Sequence, residues 1–401
     1  MENVITNFYK NKKVLVTGHT GFKGSWLCRM LLHAGAVVTG YSLQPPTNPN
    51  LFSMADIENK MKSVLGDIRD LEHLQTVFAQ TQPDIVFHLA AQPIVRESYK
   101  DPRYTYETNV MGTVNVLECI RHCQSVKSFL NVTTDKVYLN QERAEGYREE
   151  EPLDGFDPYS NSKSCSELAT HCYQNSFFAD GHVAVSTARA GNVIGGGDFA
   201  KDRILPDCVR AVQEGRVIEV RNPHSVRPYQ HVLEPLAVYL MIAAKQYEDI
   251  RYAGYYNVGP DDCDCITTGE LADLFCKYWN RGVVTERKET FASINEIKNV
   301  ERSAGADRLC DAKWIGKAER NAGTDRLCEA KWTGKAERSA PHEANFLKLN
   351  CNLLKKTFGW QPRWHIEDAV LQTCEFSKIW LRGGNIPEEM DKEIELFLQR
   401  S

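Results

Sequence analysis

Residues 13–24 read KVLVTGHTGFKG: a short apolar run, then Gly18, Gly21 and Gly24 at intervals of three, at the head of the amphipathic stretch 22–35. Glycines between a first strand and a first helix permit a tight turn and close backbone approach. The free N–H groups and positive dipole of the helix start can then receive a pyrophosphate. It is the place of the triplet, more than its presence, that points to a dinucleotide site. The acidic residue that would hold a ribose hydroxyl at the end of the second strand is missing; Tyr41-Ser42-Leu43 stands there. That position therefore does not choose between NAD and NADP.

Outward from this stretch, KVLVTG (13–18), AVVTGYSL (36–43), DIVFHLAA (84–91), KSFLNVTT (127–134) and VAVSTARAG (183–191) alternate with amphipathic segments at 22–35, 101–123 and 158–178. Continuous apolar strands alternating with helices imply a parallel sheet covered on both faces. The expected fold is α/β: a Rossmann-type, doubly wound parallel sheet with a smaller C-terminal substrate-binding α/β domain. Residues 1–191 form the dinucleotide-binding part, completed by part of 228–260. Beyond 191 the Gly/Pro-rich loops GNVIGGGD, VRNPHSVRP and NVGPDD indicate a second domain, mainly substrate-binding, over 192–401.

Composition narrows the function. A formal net charge of −5 gives no basic field for nucleic acid or anionic lipid. MENVITNFYKNKKVLVTG lacks a signal-peptide apolar region, and no run reaches membrane-spanning length, so a cytoplasmic protein is expected. Thirteen cysteines are an odd number in a long chain, better read as reduced thiols than as a disulfide framework. Cys263-Asp-Cys265 and His171-Cys172 lack paired C-x-x-C spacing, so no metal is expected. Residues 301–318, ERSAGADRLCDAKWIGKA, recur as 319–336, ERNAGTDRLCEAKWTGKA. Two copies are too few for a solenoid, and the pair reads as a duplicated surface insertion. Trp314 and Trp332, five helical turns apart, would share a helix face.

Chemistry enters at two places. Tyr159 and Lys163 are spaced i, i+4, one face of a helix, so the ammonium can favour the phenolate. The strand 127–134 ends in Thr133, Thr134, Asp135 and Lys136, polar groups that are costly to bury without partners. Arg203 and Arg227 lie in loops expected to face the sheet ends, where a nucleoside diphosphate needs fixed cations.

In order and spacing, the glycine triplet, Asp67-Ile68 after a short strand, HLAA (88–91), the Thr-Thr-Asp cluster and Tyr159/Lys163 resemble the extended short-chain dehydrogenase/reductase family over nearly the whole chain. Within it, GHTGFKGSWL, GDIRD, HLAAQPIVRESY, NVMGTVN, GYREEEPLDGFDPYSNSK, RAGNVIGGGDFAKDRILPD, RNPHSVRPYQHVLEPL and HEANFLKLN are most similar to sugar-nucleotide 4,6-dehydratases acting on CDP-glucose. Only 301–336 has no place in that pattern, and its removal is expected to leave fold and reaction intact. The dehydratases carry Thr-Asp-Glu at the strand end, with Lys for Glu in the CDP-glucose branch; Thr134, Asp135 and Lys136 fit that branch.

The resemblance implies NAD as cofactor, held by Gly18, Gly21, Phe22, Lys23, Gly24, Asp67, Ile68, Leu89, Ala90, Ala91, Tyr159 and Lys163. It implies CDP-glucose as substrate, touched by Gln92, Asn192, Arg203, Arg227, Gln230, Asn257 and His342, and deoxysugar biosynthesis of the O-antigen type as the setting. Helices 101–123 and 158–178 resemble the pair through which such proteins form a homodimer or dimer of dimers. Tyr159 would take the 4-hydroxyl proton and Asp135, kept protonated by a dry site, would protonate the departing 6-hydroxyl. Lys136 is the base at C5 if burial beside a cation makes it neutral; otherwise it steadies the enolate. Another sugar-nucleotide dehydratase or 4-epimerase, and a silent dinucleotide-binding regulator, are the alternatives. Epimerisation needs no acid for the C5–C6 elimination, and a silent protein would not need Thr134, Tyr159 and Lys163 together.

Overall fold

Apolar runs of the kind that precedes Gly18 become strands buried on both faces. The structure, a computed structural model, describes residues 7–281, 328–334 and 347–400. The chain forms β1 (Lys13–Thr17), β2 (Val37–Ser42), β3 (Lys62–Leu65), β4 (Ile85–His88), β5 (Ser128–Thr134) and β6 (Ala184–Ala190). Then β7 (Val193–Ile194), β8 (Ile218–Val220), β9 (Val226–Pro228) and β10 (Gln230–His231) leave the sheet, and β11 (Tyr255–Val258) returns to it. The order is β11-β6-β5-β4-β1-β2-β3, every neighbouring pair parallel. This is a Rossmann-type doubly wound sheet. Its order reverses between β1 and β4, where such sheets bind ligands.

The helices that cover it are α1 (Phe22–His33), α2 (Leu71–Thr81), α3 (Gly112–Arg121), α4 (Pro158–Phe177), α5 (Ile204–Gln213) and α6 (Leu233–Glu248). On one face Trp26, Leu27 and Leu31 of α1 join Leu236 and Leu240 of α6; on the other, Val77 and Phe78 of α2 and Leu117 and Ile120 of α3 pack under Leu15, Val86 and Phe129. The stretch 101–123 is not one regular helix. Helix 102–106 runs into a π-helical turn, Glu107–Met111, before α3 begins. That wide turn lets Asn109 reach the Gln92 amide at 2.8 Å and the Ser162 hydroxyl at 2.9 Å.

The second domain adds β12 (Cys265–Thr267), α7 (Thr268–Trp279), β13 (Trp332–Gly334), α8 (Asn352–Phe358), α9 (Ile366–Leu381) and α10 (Ile386–Gln399). Leu205, Val209, Ile218, Leu271, Phe275 and Val370 form its core, while Met390, Ile394 and Phe397 of α10 return to the core of the first domain. Where 301–336 is described it is mostly exposed, but the helix reading of Trp332 needs correction. Residues 332–334 are β13, paired in parallel with β8, and Ala330 is buried; Trp332 sits on a strand, not on a helix. The physical reason is an edge: β8 presents unpaired backbone groups that another strand satisfies. The rest of the repeat lies outside the described residues. Among the described residues the cysteines are not bonded to one another, and no helix is long and apolar enough to cross a membrane.

Trp26, fully buried, spans the two domains: its indole N–H donates to the Gly196 carbonyl at 3.0 Å, and its ring lies 6.0 Å from that of Phe376. Trp26→Ala is expected to lower stability by about 3–5 kcal/mol, the cost of emptying an aromatic core site, measured as a shift in the urea unfolding midpoint.

Candidate active site

Gly18 takes a left-handed φ of 77°, and a Cβ there would stand 2.7 Å from the Ala90 nitrogen. A Cβ on Gly24 would meet the Gly18 carbonyl oxygen at 2.1 Å, so Gly24 lets α1 sit against the turn. Gly21 differs: the nearest protein atom to its Cβ position is 3.5 Å away. The protein itself does not demand that glycine; a ligand approaching the backbone there would. Gly21 is also the N-cap of α1, without a side-chain cap or an acidic residue in the first turn. The amides of Phe22 and Lys23 therefore open an anion-binding helix start. Across the turn, the Thr17 hydroxyl contacts His88 Nδ1 at 2.8 Å and accepts from the Leu89 and Ala90 amides at 3.2 Å, fixing the backbone that leads to Ala91. Asp67 is paired with Arg69 at 2.7 Å, Ile68 is buried against α3, and Ser42 bonds Thr20 at 2.8 Å. These features fit a dinucleotide along the β1, β2 and β4 ends.

The ends of β5 and α4 meet beside this cradle. Asp157 caps α4 by accepting the Ser160 amide, with Pro158 in the first turn, as capping chemistry prefers. Tyr159, the second residue of the helix, and Lys163, one turn on, lie buried on the same face. Tyr159 shares a hydrogen bond with Thr134, whose hydroxyl donates to Asp135 at 2.9 Å. Burial pushes the Tyr159 phenol up to about 12, against the pull of Thr134 and Arg203. Burial brings Lys163 down to about 8, and Glu167 holds it from falling further; its ammonium donates to the Val132 carbonyl at 3.1 Å. Asp135 is 1 % exposed, and its second oxygen has no partner. That oxygen lies 3.2 Å from where a Cβ on Gly191 would stand, so glycine there keeps the approach to the acid open. Lys136 is half-buried. Lys23 also reaches the cluster: burial, with Arg203 and Lys163 nearby, lowers it to about 7 despite Asp135.

The residues expected to touch substrate divide by what already occupies them. Arg203 faces the cluster and pairs with Asp198 at 2.9 Å. Arg227 on β9 is buried, donating to the Val226 carbonyl. Gln230 donates to the Val258 carbonyl at 3.0 Å and keeps an unpartnered buried oxygen, and Asn192 is half-buried. Gln92 and Asn257 are committed to the protein. Gln92 bonds Thr105 and the Ile94 amide; Asn257 bonds the Tyr138 hydroxyl, the Tyr147 carbonyl and the Asn350 carbonyl. Both therefore shape loops beside the site. His342 lies outside the described residues. Cys263, Asp264 and His365 bring potential ligand atoms within 4.8 Å of one another, but Asp264 already accepts from His365 at 2.8 Å and from the Ile366 amide at 3.0 Å, serving the start of α9.

One group escaped the sequence reading. Glu167, one turn beyond Lys163 and fully buried, accepts from Thr133 at 2.5 Å, Thr187 at 2.7 Å and Arg189 at 3.0 Å, with His171 3.4 Å away. Burial alone would raise Glu167; Arg189 and the hydrogen bonds outweigh it and bring it to about 2. Its only sequence signal is the helical spacing from Lys163.

A family model described as GDP-mannose 4,6 dehydratase matches residues 15–310. The chain belongs to the GDP-mannose 4,6-dehydratase family. It is similar to the CDP-glucose 4,6-dehydratase of Salmonella typhimurium, with 41% identity covering 95% of this chain and 94% of that protein. Among solved structures, a UDP-glucuronic acid 4-epimerase from Bacillus cereus in complex with UDP-glucuronic acid and NAD aligns with a TM-score of 0.69 at 19% identity, over 92% of this chain and 99% of that one. A dTDP-glucose 4,6-dehydratase from Bacillus anthracis in complex with NAD aligns at 0.65 and 19%, over 91% and 96%. At that identity the two structures establish the fold this family shares with epimerases.

Two outcomes follow from Glu167. Glu167→Gln leaves Arg189 buried without its counter-charge, and removing one partner of a buried pair costs roughly 3–5 kcal/mol, to be read from urea unfolding. Glu167 raises the pKa of Lys163, so its loss lowers that pKa. With burial bringing Lys163 to about 8, kcat/KM is expected to fall on the basic side near that pH, and in Glu167→Gln that fall is expected to move to lower pH, checked by a pH–rate profile.

Proposed function

We propose that the chain is a hydro-lyase that converts CDP-glucose to CDP-4-keto-6-deoxyglucose, an entry into deoxysugar biosynthesis. The observation that carries this reading is Asp135: a buried carboxyl with one unpartnered oxygen, bonded through Thr134 to Tyr159, in a chain similar to a CDP-glucose 4,6-dehydratase. An epimerase has no use for an acid at the sugar's C6.

Thr134 orients the sugar 4-hydroxyl toward Tyr159, which takes its proton as phenolate. With burial holding the phenol near 12, the phenolate needs cations close by, and Lys163 supplies one. NAD held at the Gly18–Gly24 turn would supply the acceptor for the C4 hydride and, in its reduced form, the donor of that hydride to C6. Once C4 is a ketone the C5 proton is acidic. Lys136 removes it or steadies the enolate, and Asp135 gives its proton to the departing 6-hydroxyl. Arg203 and Arg227 offer the diphosphate fixed cations.

The same helices support a homodimer or a dimer of dimers. Met111 and Leu168, on 102–121 and α4, are each 53% exposed, and Phe177 is 44% exposed; apolar side chains of that size gain from a second copy.

Deuterium at C4 of CDP-glucose is expected at C6 of the product, and turnover in heavy water to place solvent deuterium at C5; NADH accumulating in step with product would overturn the reading. Asp135→Asn is expected to slow water loss by roughly 10²–10⁴-fold while leaving C4 oxidation measurable in a single turnover. In light scattering after gel filtration, Leu168→Asp is expected to shift the intact protein's mass toward that of one chain.

A further inference from the structure

Residues 301–318 and 319–336 differ only at positions 303/321, 306/324, 311/329 and 315/333. The second copy ends in a segment whose contacts are on view. The Trp279 indole N–H donates to the Cys328 carbonyl at 3.0 Å. Asn280 clasps Ala330 from both sides, accepting its amide at 2.8 Å and donating to its carbonyl at 3.1 Å. The Ile218 amide donates to the Lys331 carbonyl at 2.8 Å, β13 runs beside β8, and the Trp332 indole donates to Asp273 at 2.7 Å. Ala330 is 2 % exposed.

This slot reads backbone, one small side chain and one indole. All of these recur in the first copy as Cys310, Ala312, Lys313 and Trp314. The two places within the docked segment where the copies differ are Glu329, matched by Asp311, and Thr333, matched by Ile315. Both Glu329 and Thr333 are exposed, so the slot does not distinguish the copies.

We propose that the edge of β8, with Asp273, Trp279 and Asn280, is a docking surface for either copy, so that 312–316 exchanges with 330–334 by a register slip of one whole repeat. The connections permit it. Residues 282–309, fully extended, reach roughly 90 Å, far beyond the dimensions of one domain. Closure entropy varies with the logarithm of loop length, so moving one repeat from the upstream to the downstream connection shifts the balance by only about twofold. The occupant also sets the slack before Leu347, Leu349 and Cys351, which pack with Tyr138 and Tyr147 beside the site.

The test uses the full chain and hydrogen exchange of the peptide that contains Ile218, whose amide reports the docked strand. Ala330→Asp blocks the second copy at its buried position, Ala312→Asp blocks the first, and a double variant blocks both. Protection in Ala330→Asp within a factor of about two of the unaltered chain, with loss on the order of tenfold in the double variant, is the expected result. Loss in Ala330→Asp alone equal to that in the double variant would overturn the proposal, since the slot would then accept only the second copy. Protection kept in the double variant would overturn it as well, because neither copy would be what covers β8. Chains lacking 301–318 or 319–336 give the same reading without a charged substitution: each should melt with the unaltered chain, and a chain lacking both copies should melt several degrees lower. A chain lacking 319–336 that melts as low as the chain lacking both would refute the exchange.

Discussion

The carboxylate of Glu167 fixes where the ends of three elements meet. It is buried on α4, yet its hydrogen bonds go to Thr133 on β5 and to Thr187 and Arg189 on β6. A buried charge needs full compensation, so those strand ends cannot slide relative to α4 without stranding an ion. Arg189 extends the tie by donating to the Tyr138 hydroxyl and the Glu149 carbonyl at 2.8 Å, and Tyr138 in turn holds Asn257 at the end of β11. Tyr159 and Lys163 ride on the same helix, and Thr134 and Asp135 follow directly from Thr133. The geometry of the proton-handling groups is thus inherited from an ion pair that touches none of the reacting atoms.

Around that frame the electrostatics are unbalanced toward positive charge. Arg203 lies beside Tyr159 and Lys23, and Lys23 beside Lys163 and Asp135, and burial lowers both lysines. Cations crowded in a dry site favour any group that becomes negative there, which suits an anionic cofactor, a nucleoside diphosphate and a phenolate. The same burial holds the phenol near 12 against the pull of Arg203.

The second domain follows a different logic. Its sheets are two-stranded pairs, stabilised mainly by the helices α5, α7 and α9 around them. Short edges of that kind accept a strand on backbone complementarity with few side-chain demands, which is why a duplicated segment can be carried there without disturbing the seven-stranded sheet.

The order of strands and helices, the cofactor turn and the Tyr159–Lys163 pair were legible in the amino-acid sequence because each is local: apolar runs, glycines at fixed offsets and a helical spacing of four. The placement of Thr134 and Asp135 at a strand end was legible for the same reason. Other features depended on pairings distant along the chain. Nothing local marks Glu167 as the partner of Arg189, or Asn257 and Gln92 as holders of loops, since a hydrogen-bonding side chain takes whichever partner the fold brings to it. The break of 101–123 into a π-helical turn goes with Asn109 bonding Gln92 and Ser162 across the fold. The repeat shows the division most clearly: composition made it read as surface, because its charged residues cannot form a core alone. Only the tertiary structure supplied the edge of β8, whose unpaired backbone groups turn residues 332–334 into a strand.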